Sequence, residues 1–124
     1  MKLDKIVSIT GKSGLYRIIA ETPKRIIVES IDEAKKKLPV SSNFQVALLD
    51  KITIFTLDNS DLLLGEIFDK MDSYEGDVPP KSENAANLRT FFREIAPNHD
   101  ENKVYSSDLK KIIRWYHLLK DHHA

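Results

Sequence analysis

The sequence predicts an α+β protein, a small antiparallel β unit followed by a helical unit, on three observations. From Ile6 to Thr56 the apolar residues recur mainly at every second position; from about Leu62 onward they recur at every third and fourth. Side chains alternate faces along a strand and share a face at i, i+3 and i+4 along a helix, so the two stretches demand different architectures. Short turns rich in glycine and proline separate the first apolar runs, which selects hairpins and hence antiparallel pairing. Finally, SYEGDVPPKS, from Ser73 to Ser82, carries one glycine and two prolines and reads as a linker within the helical half.

Four runs read as strands: KIVSIT, GLYRIIAET, RIIVESI and KITIFT. In the third, Ile26, Val28 and Ser30 share one face, while Arg25, Ile27, Glu29 and Ile31 share the other. In the last, Ile52 and Ile54 oppose Thr53 and Phe55. Gly11-Lys12-Ser13-Gly14 and Thr22-Pro23-Lys24 supply the first two turns. The stretch from Asp32 to Ser42 is polar and rich in lysine, Pro39 marks a break in it, and Lys35-Lys36-Lys37 reads as a solvated loop. Phe44 to Leu49 fits either a fifth strand or one helical turn before Asp50. Several short strands in so few residues must close on themselves or be covered to protect their edges. A small SH3-like barrel is the simplest closure, and a curled sheet capped by the helices is the alternative.

In the second half, Asn59-Ser60-Asp61 is a candidate helix N-cap before LLLGEIFDKM, where Leu64, Ile67, Phe68 and Met71 form one stripe. A second helix runs from about Glu83 to Ile95, with Ala85, Leu88, Phe91, Phe92 and Ile95 on its apolar face, and Pro97 ends it. Val104 and Tyr105 look extended. Ser106 or Ser107 then caps a last helix whose apolar face is Leu109, Ile112, Ile113, Tyr116 and Leu119. The expected division is residues 1–58 for the β unit, 59–80 for a helix and linker, and 81–124 for the helical unit. Units this small bury too little surface to stand alone comfortably, so the two are expected to pack together or to assemble with a partner.

Composition narrows the function. The chain has 124 residues, 41% hydrophobic and 31% charged, which is typical of a folded soluble domain. Its 19 basic and 19 acidic residues cancel, so no overall field selects a polyanion. Cysteine is absent, which removes disulfides, thiolate ligands and cysteine nucleophiles and fits a reducing compartment. Asp4 and Lys5 stand where a signal peptide needs an apolar core, and no apolar run approaches the ~18 residues of a membrane span. A cytoplasmic protein with no membrane partner is expected.

The motifs carry little chemistry. GKSG at Gly11–Gly14 suggests a phosphate loop, but Ile6 occupies the position of the earlier glycine and a strand, not a helix, follows. A hairpin turn explains it. Of the four histidines, His117 stands at i, i+4 from Asp121 and could share a metal with it, yet nothing in the spacing of His99, His122 or His123 supplies a third ligand. These histidines read as solvated, and neither a metal nor another cofactor is expected. No nucleophile elbow surrounds a serine, and no carboxylate pair is set apart by its surroundings. The expectation is a non-enzymatic protein.

The last helix is the most suggestive element. Lys103 to Lys120 holds five basic residues, Lys103, Lys110, Lys111, Arg114 and Lys120, against the single acid Asp108. A local basic face binds phosphates even on a neutral protein, because it releases condensed counterions. A solvated helix with lysines toward its C-terminus is the plainer explanation of the same charges. Trp115, at the border of the apolar and basic faces, suits either core packing or the anchoring of a partner.

The pattern L-x-x-I-V-S-I-T-G-K-S-G-L-Y, continued by I-I-V-E-S and I-T-I-F-T, resembles a family of uncharacterised small bacterial proteins in which a short domain of unknown function precedes a helical one. FFREIAPNHDENKVYSSDLKKIIRWYHLL resembles that second domain. Together the two cover nearly the whole chain. Ser13 departs from the pattern, where a proline is expected before Gly14; either residue makes the turn. The resemblance implies no activity and no site residues. The C-terminal half also resembles the helix–extended segment–helix modules of SAP-like and LEM-like domains, which commonly bind DNA or a protein; that analogy is one of fold alone.

Two functions therefore stand as expectations. In the first, Lys103, Lys110, Lys111, Arg114 and Lys120 contact the phosphates of DNA or RNA, with Arg17, Lys24 and Arg25 as a second patch. In the second, the protein is an interaction adaptor or self-assembling scaffold, anchored through Trp115, Tyr105 or the surface near Tyr16.

Overall fold

The computed structural model describes residues 2–41 and 44–122. Ser42, the end of the expected polar segment, and His123 lie outside the described residues. Five strands form one antiparallel sheet: β1 (Ile6–Ile9), β2 (Tyr16–Glu21), β3 (Arg25–Ser30), β4 (Lys37–Ser41) and β5 (Val46–Leu48). Their order is β4-β3-β2-β1-β5. A 3-10 turn, Leu49–Lys51, leads to a two-strand hairpin of β6 (Thr53–Ile54) and β7 (Leu62–Leu63), and then come α1 (Leu64–Asp72), α2 (Ala85–Ile95) and α3 (Ser106–His122). The protein is thus α+β.

Local chemistry explains the turns. Gly11 and Gly14 take φ of 85° and 80°, the left-handed region that only glycine enters without cost, and they fold β1 back onto β2. Thr22 closes the next turn, its hydroxyl donating to the Arg25 carbonyl at 2.9 Å. Between β3 and β4, the Ser30 hydroxyl donates to Asp32 at 2.9 Å and accepts the Lys36 N–H at 2.8 Å. The register of β2 against β3 shifts between Ile18 and Ala20, leaving Ile19 as the extra residue of a bulge; such bulges bend a strand and increase its twist.

Several expectations change. Lys37-Leu38-Pro39-Val40-Ser41 is a strand despite its proline, because β4 pairs with β3 alone and an edge strand tolerates a missing N–H. Phe44 to Leu49 resolves into both alternatives: Val46–Leu48 pairs with β1, and the helical turn starts at Leu49. Asn59-Ser60-Asp61 caps no helix. It forms the tip of the β6–β7 hairpin, where Asp61 accepts the Thr56 N–H at 3.1 Å and the Thr56 hydroxyl accepts the Asp61 N–H at 2.9 Å. The start of α1 is held instead by Glu66, which accepts the Leu63 N–H at 2.9 Å. Likewise Asp108, rather than a serine hydroxyl, secures the start of α3 by accepting the Tyr105 N–H at 2.9 Å. Asn84 caps α2 through the Asn87 N–H. The barrel expectation meets a sheet with two edges, since among the described residues no ladder joins β4 to β5.

One apolar cluster unites the halves. Leu3, Ile6, Leu15, Ile31, Leu49 and Ile54 from the first half pack with Leu64, Ile67, Phe68, Met71, Leu88, Phe92, Leu109, Ile113 and Leu119 of the helices. Each such fully buried side chain contributes about 1.5–3 kcal/mol relative to exposure, enough to bind the two units into one cooperative body. Alternation along β1 sends Ile6 to this cluster and Val7 and Ile9 to a second, which they form with Val28 and Val40. The stretch expected to be a linker is packed down: Tyr74 stands edge-on to Phe91 with centroids 5.0 Å apart, and His117 donates to the Pro79 carbonyl at 2.6 Å.

Candidate nucleic-acid interface

The β1–β2 turn and α3, far apart in sequence, face each other across a cleft of about 470 Å³. Ser8, Ile9, Thr10 and the turn Gly11–Gly14 form one wall; Lys111, Arg114, Trp115 and Leu118 of α3 form the other, and Lys81 also lines it. Four cations therefore line it, Lys12, Lys81, Lys111 and Arg114, together with three hydroxyls and no carboxylate. Among the described residues none of these four forms an ion pair. Lys111 and Arg114 stand at i, i+3 on one helix face, a like-charge arrangement that costs a few tenths of a kcal/mol and that an anion would relieve.

A second cleft of about 340 Å³ adjoins the first, lined by Ala47, Ile52, Thr53, Ile54 and Phe55 on the sheet side and by Lys103, Val104, Asp108 and Ile112 near α3. Ser8, Thr10, Lys111 and Trp115 line both, so the two clefts form one trough with Trp115 at the junction. Aromatic rings and lysines are interleaved along it. The Lys111 ammonium lies 5.9 Å from the centre of the Trp115 ring and Lys103 lies 5.6 Å from that of Phe55; Lys12 lies 5.7 Å from the ring of Phe44, which lines neither cleft.

The residues expected at the site divide. Lys103, Lys111, Arg114 and Trp115 line the trough. Lys110 is exposed but lines neither cleft. Lys120 is drawn away, its ammonium 3.2 Å from Asp72. The second patch stands apart: Lys24 and Arg25 sit at the β2–β3 turn, at the end of those strands opposite Gly11–Gly14, and Arg17 lies half-buried between its cross-strand neighbours Ile6 and Glu29. Tyr16 packs half-buried with the second apolar cluster, and Tyr105, 62% exposed, lies outside both clefts.

Lys12, Lys81 and Phe55 are the residues that sequence reasoning did not bring to the site. Lys12 belongs to the GKSG turn, which is indeed a hairpin followed by a strand; its relation to α3 comes from tertiary packing and leaves no local signature. The histidines also differ from expectation. His99 is buried, donating from Nδ1 to the Ala96 carbonyl at 2.6 Å and accepting at Nε2 from Arg89 at 2.9 Å. Arg89 also donates to the Val104 carbonyl at 2.8 Å, so this pair fastens the α2–α3 connection, and neither it nor His117 is a solvated group.

Residues 52–119 match the model of a family described as domain of unknown function (DUF6852), and residues 3–49 match that of domain of unknown function (DUF5606). The two matches divide at the 3-10 turn. A solution NMR structure from Bacteroides vulgatus, a Northeast Structural Genomics Consortium target, is 33% identical to this chain, with a TM-score of 0.75 over 98% of this chain and 87% of its own. No curated protein matches the chain.

Proposed function

The chain belongs to the family described as domain of unknown function (DUF6852), which brings no activity with it, and from the geometry of the trough we propose a non-catalytic, cytoplasmic protein that binds nucleic acid there. One observation carries this reading: four cations that form no ion pair among the described residues line the larger cleft, with no carboxylate among its lining side chains. Cations gathered in a recess raise the local concentration of anions, and phosphates bound there release their counterions. Hydroxyls of Ser8, Thr10 and Ser13 add donors for phosphate oxygens. On the same reading the sheet is an SH3-like barrel. Its support is the cluster of Val7, Ile9, Val28 and Val40, which is buried yet draws all its members from the five strands, as a sheet curled over its own face requires.

The test is fluorescence anisotropy of labelled DNA and RNA strands with the full chain at two salt concentrations. Binding that weakens steeply with salt and is abolished by Lys111→Glu with Arg114→Glu supports the assignment; unchanged binding by that double variant rejects it. A protein-interaction role is the second reading, favoured by the exposed side chains of Leu57 and Leu63 on the β6–β7 hairpin and of Tyr105 nearby in sequence to α3. It predicts a partner whose binding is little affected by salt.

A further inference from the structure

We infer that the trough takes unpaired bases: a single-stranded stretch of nucleic acid lies along it, with bases stacked on Trp115 and Phe55 and the neighbouring lysines on phosphates. This rests on the phosphate-binding reading above and adds the class of strand.

The rings are placed as a stacking platform requires. Phe68, Phe91 and Phe92 are buried in the core, whereas Phe55 remains 47% exposed in the second cleft and Trp115 is half-buried at the junction of the two clefts. Every base offers a π-face, so an uncovered ring binds bases with little regard to sequence. In a duplex those faces are already stacked on one another, and a ring recessed between a turn and a helix is reached only by a base that has left the stack.

Charge points the same way. Both rings have one lysine ammonium within 6 Å of the centre on one face, so a base stacked on the other face brings its own phosphate near a cation. Around the whole trough five cations, Lys12, Lys81, Lys103, Lys111 and Arg114, face the single acid Asp108, whose carboxylate already accepts the Tyr105 N–H. The repeated pairing of ring and ammonium is the alternation of base and phosphate along a single strand.

The experiment compares three labelled probes on the full chain by anisotropy: a deoxythymidine strand of about 10 nucleotides, a duplex of equal length, and an abasic strand with the same number of phosphates. The intact strand is expected to bind roughly tenfold or more tightly than either other probe, a margin set by base–aromatic stacking. Phe55→Ala, at an exposed position, should weaken the intact strand and leave the abasic strand unchanged. Lys111→Glu with Arg114→Glu should weaken all three. Equal binding of intact and abasic strands, or preference for the duplex, overturns the stacking inference and leaves the phosphate reading standing. No binding of any probe at low salt overturns both and favours a protein partner.

Discussion

The Tyr116 hydroxyl donates a 2.8 Å hydrogen bond to the Asp72 carboxylate, tying the middle of α3 to the end of α1. Lys120 reaches the same carboxylate at 3.2 Å. Burial of the phenol, then the bond to and charge of Asp72, push the Tyr116 pKa up to about 12 from an ordinary value of 10.0. A group whose folded pKa is raised stabilises the fold below its unfolded pKa, and that stabilisation is lost as pH rises through the folded value. Stability is therefore expected to fall between about pH 10 and pH 12, and Tyr116→Phe should flatten that part of the profile. Denaturant melts at several pH values, with tyrosinate absorbance to follow ionisation, measure it. A wild-type decline unchanged in the variant would remove Tyr116 as its source.

Lys110 and Lys111 are adjacent in sequence, yet only Lys111 lines the trough. Charge reversal of Lys111 should lower the slope of log affinity against log salt by about 1, the signature of one lost phosphate contact, while Lys110→Glu leaves it nearly unchanged. Lys120→Glu places a carboxylate against Asp72 and should reduce stability rather than binding. Salt titrations of the three single variants distinguish these outcomes.

Arg89 satisfies two buried acceptors at once, His99 Nε2 and the Val104 carbonyl. Arg89→Met keeps the stem of the side chain and orphans both acceptors, so a loss of about 1–3 kcal/mol per unsatisfied group is expected in urea unfolding. A neutral substitution would mean that the connection between α2 and α3 relaxes to find other donors.

Phe92 is fully buried in the cluster shared by sheet and helices. Phe92→Ala should cost about 3–5 kcal/mol, and because the core is shared, the loss should appear in strand and helix signals together. Far-ultraviolet dichroism and Trp115 fluorescence are expected to report one coincident transition; two separate transitions would show that the halves fold independently.

The helical faces were legible residue by residue. Leu64, Ile67, Phe68 and Met71, then Leu109, Ile112, Ile113, Tyr116 and Leu119, are the side chains that the structure buries, because i, i+3, i+4 spacing fixes a face whatever lies against it. Strand and cap boundaries were less legible. Pro39 reads as a break until the strand around it is known to be an edge, and Asn59-Ser60-Asp61 has the composition of an N-cap but closes a hairpin. Half of the trough was legible as the basic face of α3. The other half, Lys12 and Lys81 with Phe55, was not, because a groove between distant segments is a property of packing and not of spacing.

The proline of β4 has a consequence at the scale of many molecules. A free sheet edge with a full row of donors and acceptors is a template on which another chain can add a strand. At Pro39 the row lacks a donor, and the strand on the opposite margin, β5, spans only three residues before the chain turns away. Neither margin offers the long regular ladder on which fibrils grow, so this sheet is protected against polymerising through its backbone even when the protein is concentrated.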